Sequence, residues 1–554
     1  MTSPDRQQPA DAAAPPLIAA LMRPECYAHR VREIRMLETH ISWVFLTGDF
    51  AYKIKKPLNL GFLNFSTLEA RRYYCEKELV LNRRLAKEMY LDVVSIRGTP
   101  AAPQLDGRGP VFEYAVKMRE FPQRALAAGM LARGEFGALE IDALAAVVSR
   151  FHQDAAAAGA DARHGTPALV LAQAIQNFEQ IAPRLDAPAD VAALNALRLW
   201  TEHNYVEHQE DFAARRQEGF VRECHGDLHL GNIAVIHGRP VAFDCIEFNE
   251  DLRWIDVMSE VAFLVMDLED RRRGDLAWRF LNRYLESTGD YAGLAVLRFY
   301  LVYRALVRAK VHALRACQAG AGTAESDRLW GAFREYLKLA TGFTRPERPV
   351  LVITHGLCGS GKTTATLELA GLLGAVRLRS DLERKRMHGL APLAASRSGV
   401  AQGIYTRDAD AETYRQLASL AHGALDAGCS VLVDATFLKR RERRRFRSLA
   451  ADRRLPFLIL DFAAPETLLR ERVSRRRARG EDASEADLAV LTRQLTVREP
   501  LTAEEQAGAV VVDGTCQATR ETWEPVIERL RAAAGATEQP VASPAWADVV
   551  TDRD

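Results

Sequence analysis

The segment Gly356-Leu-Cys-Gly-Ser-Gly361-Lys362-Thr363 is an unbroken G-x-x-x-x-G-K-[ST] pattern, and it leaves little freedom in the local fold. Before it, Pro349-Val-Leu-Val-Ile-Thr354 is an apolar run of strand length; after it, Thr363 to Ala370 carries apolar residues at helical spacing. A strand, a glycine turn and a helix in that order aim successive backbone N–H groups at one point, at the positive end of the helix. Gly356, Gly359 and Gly361 permit the turn, and Ser360 and Thr364 complete the expected nucleotide-binding set. Lys362 is placed to reach the terminal phosphates of ATP, and the Thr363 hydroxyl to take a Mg2+ position. A glycine-rich turn with a chance lysine is the plain alternative, but it requires neither the strand nor the helix. The motif opens its domain, so the long stretch before it needs a separate account.

At 554 residues the chain has room for more than one domain, each with a full core. Apolar content of 48% and charged content of 27% are globular values. The net charge of +1 argues against a global field for polyanions, so a nucleic-acid partner would need a local basic patch. The eight cysteines lie far apart without a C-x-x-C pair, which argues against a zinc site or disulfide framework and for a reducing compartment. Residues 1–16 lack the basic and apolar blocks of a signal peptide, and no apolar run reaches membrane-spanning length. A cytoplasmic protein with no membrane partner is expected, with disordered tails over 1–16 and 537–554.

In the first half, Trp43–Thr47 and Phe50–Lys55 read as strands of a hairpin turned by Gly48-Asp49. Lys53 and Lys55 fall on one face of the second strand, which suggests an anion beneath them. Ser66-Thr-Leu-Glu69 reads as a capping box for a helix running through Glu76 and Glu78. A strand lysine followed by a helix carboxylate is how protein-kinase-like enzymes hold phosphates, although surface Lys–Glu pairs are common. The decisive stretch is His225-Gly-Asp227-Leu-His229-Leu-Gly-Asn232, with Asp227 and Asn232 at D-x-x-x-x-N spacing and Asp244 at the end of the apolar run Pro240–Phe243. Asp227 suits a base for an attacking hydroxyl, and Asn232 and Asp244 supply the hard oxygens that Mg2+ prefers. A transition-metal site built from His225, Asp227, His229 and Asp244 is the competing reading.

These residues resemble the catalytic loop of the aminoglycoside phosphotransferase and choline kinase group, protein-kinase-like enzymes that phosphorylate small molecules. The resemblance covers roughly Met36 to Leu268 and fades toward Ala340. It implies Asp227 as catalytic base, Asn232 and Asp244 as metal ligands, Lys53 as the phosphate-contacting lysine, and Glu78 (or Glu76) as its helix partner. It also implies Val111–Met118 as the strand that meets adenine. His40-Ile-Ser42 stands where that family carries a glycine-rich loop. The polar run Glu247 to Asp256 is expected either to shape a substrate pocket or to form a solvated loop, before helices over 276–285, 293–316 and 328–340.

Prolines and charges between Thr341 and Pro349 mark a linker, with a domain boundary at 345/346. Beyond it strand and helix signals alternate: strands at 375–379, 430–433, 456–460 and 509–512 predict a parallel sheet with helices on both faces. Ligands belong at the carboxyl ends of such strands. Asp381 follows one end, in a helix expected to be capped by Ser380 and Glu383, where it either serves the helix dipole or meets a substrate. Asp434 ends another strand and is positioned as a metal-binding acid. The pattern resembles small P-loop kinases, including gluconate, adenylylsulfate and polynucleotide 5′-kinases; the resemblance implies that Asp381 contacts or deprotonates the acceptor and that Arg384 helps bind it. In the arginine-rich run from Arg470, Arg476 and Arg479 are candidates for the transferring phosphoryl group. A second basic helix over 440–451 keeps nucleic acid in view.

The whole chain resembles the bifunctional aminoglycoside phosphotransferase and ATP-binding proteins of bacteria. The expected fold is mixed α/β and α+β: a two-lobed protein-kinase-like domain over 17–345, with an antiparallel-sheet N-lobe and a helical C-lobe, then a P-loop α/β domain over 346–536. The expected function is ATP- and Mg2+-dependent transfer of phosphate to small-molecule hydroxyls. A nucleotide-responsive regulator and a nucleic-acid 5′-kinase are the alternatives.

Overall fold

The computed structural model describes residues 16–59, 63–345, 348–396, 402–479, 483–515 and 519–535, with the side chains of 477–479 left out. Residues 1–15 and 537–554 of the expected tails and the side chain of Arg479 therefore lie outside the described residues, while Pro16, expected in the first tail, opens a short helix to Ala20. The chain forms two compact units: Met1–Glu140 with Asp154–Gly165 and Val221–Glu260, and Ile141–Gln153 with Thr166–Phe220 and Val261–Asp554.

In the first unit the predicted hairpin seeds a six-stranded antiparallel sheet. Its strands are β1 (Arg35–Glu38), β2 (Ser42–Leu46), β3 (Phe50–Lys55), β4 (Tyr90–Thr99), β5 (Ala102–Leu105) and β6 (Val111–Arg119), in the order β1-β2-β3-β6-β4-β5. Gly48 takes φ 97° in the turn, a conformation that glycine reaches without penalty. Period-2 alternation sends Tyr52 and Ile54 of β3 to a core with Ile18, Leu21, Phe45 and Ile96, and Ala51 to a second core with Cys75, Ala86, Met89 and Val116. Lys53 and Lys55 share the face of Ala51, the face covered by the helix Leu68–Ala86. That helix is capped by Thr67, whose side chain accepts from the Ala70 N–H at 3.1 Å; the expected cap Ser66 instead turns its hydroxyl to Asn64. The unit is completed by β7 (Val221–Glu223) paired with β10 (Trp254–Asp256), and by the hairpin β8 (Ile233–Ile236) and β9 (Arg239–Ala242).

The second unit holds two cores. Helices Pro167–Ile181, Pro188–Glu207, Leu294–Ala319 and Ala324–Thr344 enclose Phe178, Leu197, Phe263, Leu306 and Phe333. The other core lies on a five-stranded parallel sheet, β11 (Leu351–His355), β12 (Ala375–Arg379), β13 (Ser430–Asp434), β14 (Phe457–Ala463) and β15 (Val510–Asp513), in the order β12-β13-β11-β14-β15. Val352, Leu369, Leu432, Leu460 and Trp523 fill it. Because β13 and β14 flank β11 on opposite sides, the loop after β11 opens at the switch point of the sheet, where ligands of such folds bind. A short helix, Ala503–Gly508, absent from the expected elements, is closed by a reciprocal capping box between Thr502 and Glu505. Among the described residues no helix is long and apolar enough to cross a membrane.

The helix Arg440–Asp452 shows how much of its basic character is structural. Arg443 is 1% exposed and binds both Glu505 oxygens, at 2.9 and 3.0 Å, and the carbonyls of Phe437, Glu499 and Pro500. Truncating one partner of such a pair strands the other, at a cost of about 3–5 kcal/mol. Arg443→Ala should therefore lower the melting temperature measurably, and Arg444→Ala, exposed on the same helix, should leave it nearly unchanged; equal melting of the two variants would show that the pair contributes little.

Candidate functional site

In the first unit the predicted residues of one site do converge. Lys53 donates to Glu78 Oε1 at 2.8 Å and also contacts Asp244 Oδ1. Lys55 donates to the other Glu78 oxygen at 2.7 Å and contacts Glu247. Two ammonium groups thus share one buried carboxylate, and both are held to the segment that carries Asp244. Glu76 points elsewhere, paired with Arg72 on the exposed helix face, so Glu78 is the lysine partner. Burial opposes charge on Lys53, but Asp244, Glu78 and Glu247 outweigh it and hold the ammonium well above the ordinary lysine range. Burial likewise opposes the Glu78 carboxylate, yet Lys53 and Lys55 pull it down to about 2. Glu247, a candidate pocket residue in the sequence, is buried and committed to Lys55.

Asp227 and Asp244 have different surroundings. The Asn232 side-chain amide donates to the Asp227 backbone carbonyl at 3.0 Å and to its Oδ2 at 2.9 Å. That use of the nitrogen leaves Asn232 Oδ1 as the atom suited to a cation. The Asp227 side chain is 37% exposed and thus open to an incoming hydroxyl. Asp244 is 42% exposed despite its contact with Lys53, and its backbone takes the left-handed φ of 65°. Neighbours hold this strained turn: the Asp244 N–H donates to the Tyr90 hydroxyl at 3.1 Å and the Cys245 N–H to Asn82 Oδ1 at 2.8 Å. Asn232 and Asp244 together form an oxygen donor set of the kind a hard divalent cation takes.

His225 braces the loop from below. Its Nε2 lies 2.9 Å from the Phe243 carbonyl, which can only accept, so Nε2 carries the proton and Nδ1 receives the Asp227 N–H at 3.3 Å. Burial pushes its pKa below the ordinary imidazole value, which keeps the ring neutral. With both nitrogens engaged, His225 is no metal ligand, and the transition-metal reading of the cluster loses a member. Glu260 was missed in the sequence, where it sits in an apolar helix; its two oxygens accept the N–H groups of His225 at 3.0 Å and Gly226 at 2.6 Å. Ser42, where a glycine-rich loop was expected, has a fully buried hydroxyl with no partner.

In the second unit the loop after β11 has the shape expected of a phosphate cradle. Gly356, Gly359 and Gly361 take φ of 148°, 82° and 92°, and a Cβ on Gly356 or Gly359 would meet the Phe462 or Leu469 carbonyl oxygen at 2.8 or 2.9 Å. Lys362, 8% exposed, folds into the loop and donates to the carbonyls of Gly356 at 3.0 Å and Leu357 at 2.7 Å. Burial lowers its pKa; the charges of Asp434 and Asp381 act against that shift and Arg476 reinforces it. Ser360 is buried in the loop, Thr363 is half-buried, and Thr364 is exposed. The glycine cradle, an inward lysine and a strand-end carboxylate fit a nucleotide polyphosphate with its cation.

Other expectations shift. The helix of Asp381, Ser380–Met387, begins at Ser380 itself, so the N-cap position falls to Arg379 and no side chain caps it; Glu383 is engaged by Arg386. Arg384 is buried, bonded to Asp410 at 2.7 Å and the Ile404 carbonyl at 3.2 Å, with Nε unpartnered. Arg476 donates to the Ala486 carbonyl at 3.0 Å. Arg472, not singled out within its run, donates to the Gly514 carbonyl at 2.6 Å and reaches the Gly359 carbonyl of the cradle at 3.5 Å.

The first unit's lysine–glutamate pair beside a D-x-x-x-x-N loop defines a protein-kinase-like phosphotransferase, and the second unit's cradle on a parallel sheet defines a P-loop nucleotide-binding protein. Residues 133–300 match the model of the phosphotransferase enzyme family, and residues 351–501 that of an AAA domain. The uncharacterized proteins Rv2004c of Mycobacterium tuberculosis and Mb2027c of Mycobacterium bovis are each 30% identical over 473 residues, 85% of this chain and 92% of theirs. The chain belongs to their family, a fusion of an aminoglycoside phosphotransferase-like domain with a P-loop kinase domain. Similar solved structures include amicoumacin kinase hAmiN in complex with AMP-PNP, Ca2+ and Ami, at 15% identity, 58% of this chain, 91% of that one and TM-score 0.36. A sugar kinase from Janibacter sp. HTCC2649 matches at 24% identity, 33% of this chain, 91% of that one and TM-score 0.25. Kinase domains of these families carry out ATP-dependent phosphotransfer with a divalent metal.

The depressed Glu78 pKa fixes a sign. A carboxyl held below its unfolded value stabilises the fold fully above that value and loses the contribution as pH falls toward the folded one. Stability referable to Glu78 should thus be complete above the usual 4.5 and decline as pH drops toward about 2. Denaturant midpoints measured from pH 6 downward should show a shallower acid decline in Glu78→Gln than in the wild type; parallel declines would contradict the shared-carboxylate assignment.

Proposed function

We propose that the chain transfers the γ-phosphate of Mg–ATP to hydroxyl groups of small molecules at two sites, one in a module over 17–345 and one over 346–536. The observation that carries this reading is the different partnering of Asp227 and Asp244: the first is held by Asn232 with its carboxylate partly open, the second is joined to the phosphate-side Lys53. Asp227 takes the proton of the acceptor hydroxyl. Asn232 and Asp244 hold the metal, and Lys53, kept in place by Glu78, meets the nucleotide phosphates. When bound, Mg2+ offsets the negative charge of the phosphate oxygens.

In the second module Gly356, Gly359, Ser360, Gly361, Lys362, Thr363 and Thr364 receive the nucleotide. Thr363 and Asp434 serve the metal, Asp381 the acceptor, and Arg384, Arg476 and Arg479 the substrate side. A small acceptor is favoured over a nucleic-acid end because Lys439, Arg443 and Arg447 of the basic segment are paired with Glu499, Glu505 and Glu504. Every cysteine among the described residues is free, which suits a cytoplasmic enzyme.

The test uses the full chain and an acceptor found by screening metabolites for ATP-dependent phosphorylation. Asp227→Asn should lower turnover at the first site by roughly a hundredfold or more while Mg–ATP still binds, as expected for loss of a general base. Asp244→Ala should weaken Mg–ATP binding itself. If Asp227→Asn keeps full turnover, the assigned base is wrong.

A further inference from the structure

The helix Gly274–Thr288 lies in the second unit with the parallel sheet and packs against β12, the edge strand. Asn282 treats that edge as another strand would: its side-chain nitrogen donates to the Ala375 carbonyl at 2.8 Å and its oxygen accepts the Arg377 N–H at 2.6 Å. One turn further on, Glu286 accepts from Arg377 Nε at 2.8 Å. Arg377 is fully buried, and its Nη1 donates at 2.9 Å to the carbonyl of Thr363, in the first turn of the phosphate-loop helix.

The other Glu286 oxygen lies 4.0 Å from Arg379 and 3.5 Å from Arg283. Arg379 Nε is in turn 3.8 Å from Asp434 Oδ2, its register partner on β13. Arg379 therefore stands between two carboxylates, Glu286 at 4% exposure and Asp434 at 5%, in surroundings where a guanidinium is drawn strongly to any acid left without competition. A carboxylate fully paired with an arginine is a poor partner for a cation.

We infer that Glu286 is a positioning residue for the metal side of the phosphate-loop site. It holds Arg377 on the Thr363 carbonyl and competes with Asp434 for Arg379, which lies within 4.0 Å of both carboxylates, so that Thr363 keeps its place and Asp434 is not left as the sole acid beside that arginine. This rests on the reading of 356–363 as a Mg–ATP site. Neither Glu286 nor Arg377 touches the nucleotide; they act through Thr363 and Asp434.

The experiment uses the full chain with Lys53→Ala, which weakens the first site, and titrates a fluorescent ATP analogue with Mg2+ or with EDTA. The binding that Lys362→Ala removes belongs to the phosphate loop. Loss of an outer partner of a metal site commonly costs about ten- to a hundredfold in metal affinity, so Glu286→Gln should weaken binding with Mg2+ by about tenfold or more and binding in EDTA by less than about twofold. Adding Arg379→Gln to Glu286→Gln should restore the Mg2+ dependence, because the arginine that closes on Asp434 is gone. A structural role alone would weaken both titrations together and show no rescue, and either result overturns the inference. If Glu286→Gln does not fold, Arg379→Gln alone decides: retained or stronger Mg2+ dependence supports the inference, and its loss overturns it. If Lys362→Ala removes no binding, the nucleotide-site reading itself fails.

Discussion

Glu78 is buried, and each of its oxygens is taken by a different lysine ammonium. A carboxylate taken out of water loses much solvation, and only close opposite charge with good geometry offsets that cost. Here the geometry requires Lys53 and Lys55 on one face of β3, the helix Leu68–Ala86 at a set height above it, and the Asp244–Glu247 segment close enough to meet both lysines. No member can move far without leaving a buried charge unpaired. The site is therefore a consequence of charge pairing across the sheet, helix and loop more than of any one local structure. In the second unit Glu286 plays a related part, shared between Arg377 and the neighbourhood of Arg379.

The catalytic loop shows how backbone is held where regular secondary structure is absent. Orphan N–H groups at His225, Gly226, Asp244 and Cys245 are received by Glu260, Tyr90 and Asn82. Asp244 can occupy a left-handed conformation because these bonds fix the turn around it. The outcome is a division of labour between two aspartates that are chemically identical in the sequence. Asp227 leans on an asparagine amide and faces outward, and Asp244 is tied to the lysine of the phosphate side.

Much of this was legible wherever the signal is local. The hairpin at Gly48, the D-x-x-x-x-N loop, the phosphate loop and the strands at 375–379 and 430–433 follow from spacing and alternation within a few residues, and the structure places them within a residue or two. What escaped depends on distance along the chain or on a choice between equivalent neighbours. Lys55 meets Glu247 across 192 positions, and nothing near either residue announces the other. Ser66 and Thr67 both precede a helix plausibly; the winner was decided by Asn64, which drew the serine away. Ser380 looked like a cap, but the helix begins at that residue, and Glu383 is engaged by Arg386 three positions on. Within the arginine run a residue's reach depends on helix phase, so Arg472 closes on the Gly514 carbonyl while Arg470 and Arg475 pair with Glu466 and Glu471 one turn earlier. The capping box at Thr502 and Glu505 was readable, but the apolar run that follows it, 509–512, reads as a strand and masks the short helix before it.

We propose that one chain carries two separate Mg–ATP sites. The stoichiometry of a non-hydrolysable ATP analogue bound in the presence of Mg2+, measured by equilibrium dialysis on the full chain, tests it most directly. Two sites should give two equivalents per chain, one in Lys362→Ala and one in the Lys53→Ala, Asp244→Ala double variant. A single equivalent in the wild-type chain, abolished by Lys362→Ala alone, would contradict it.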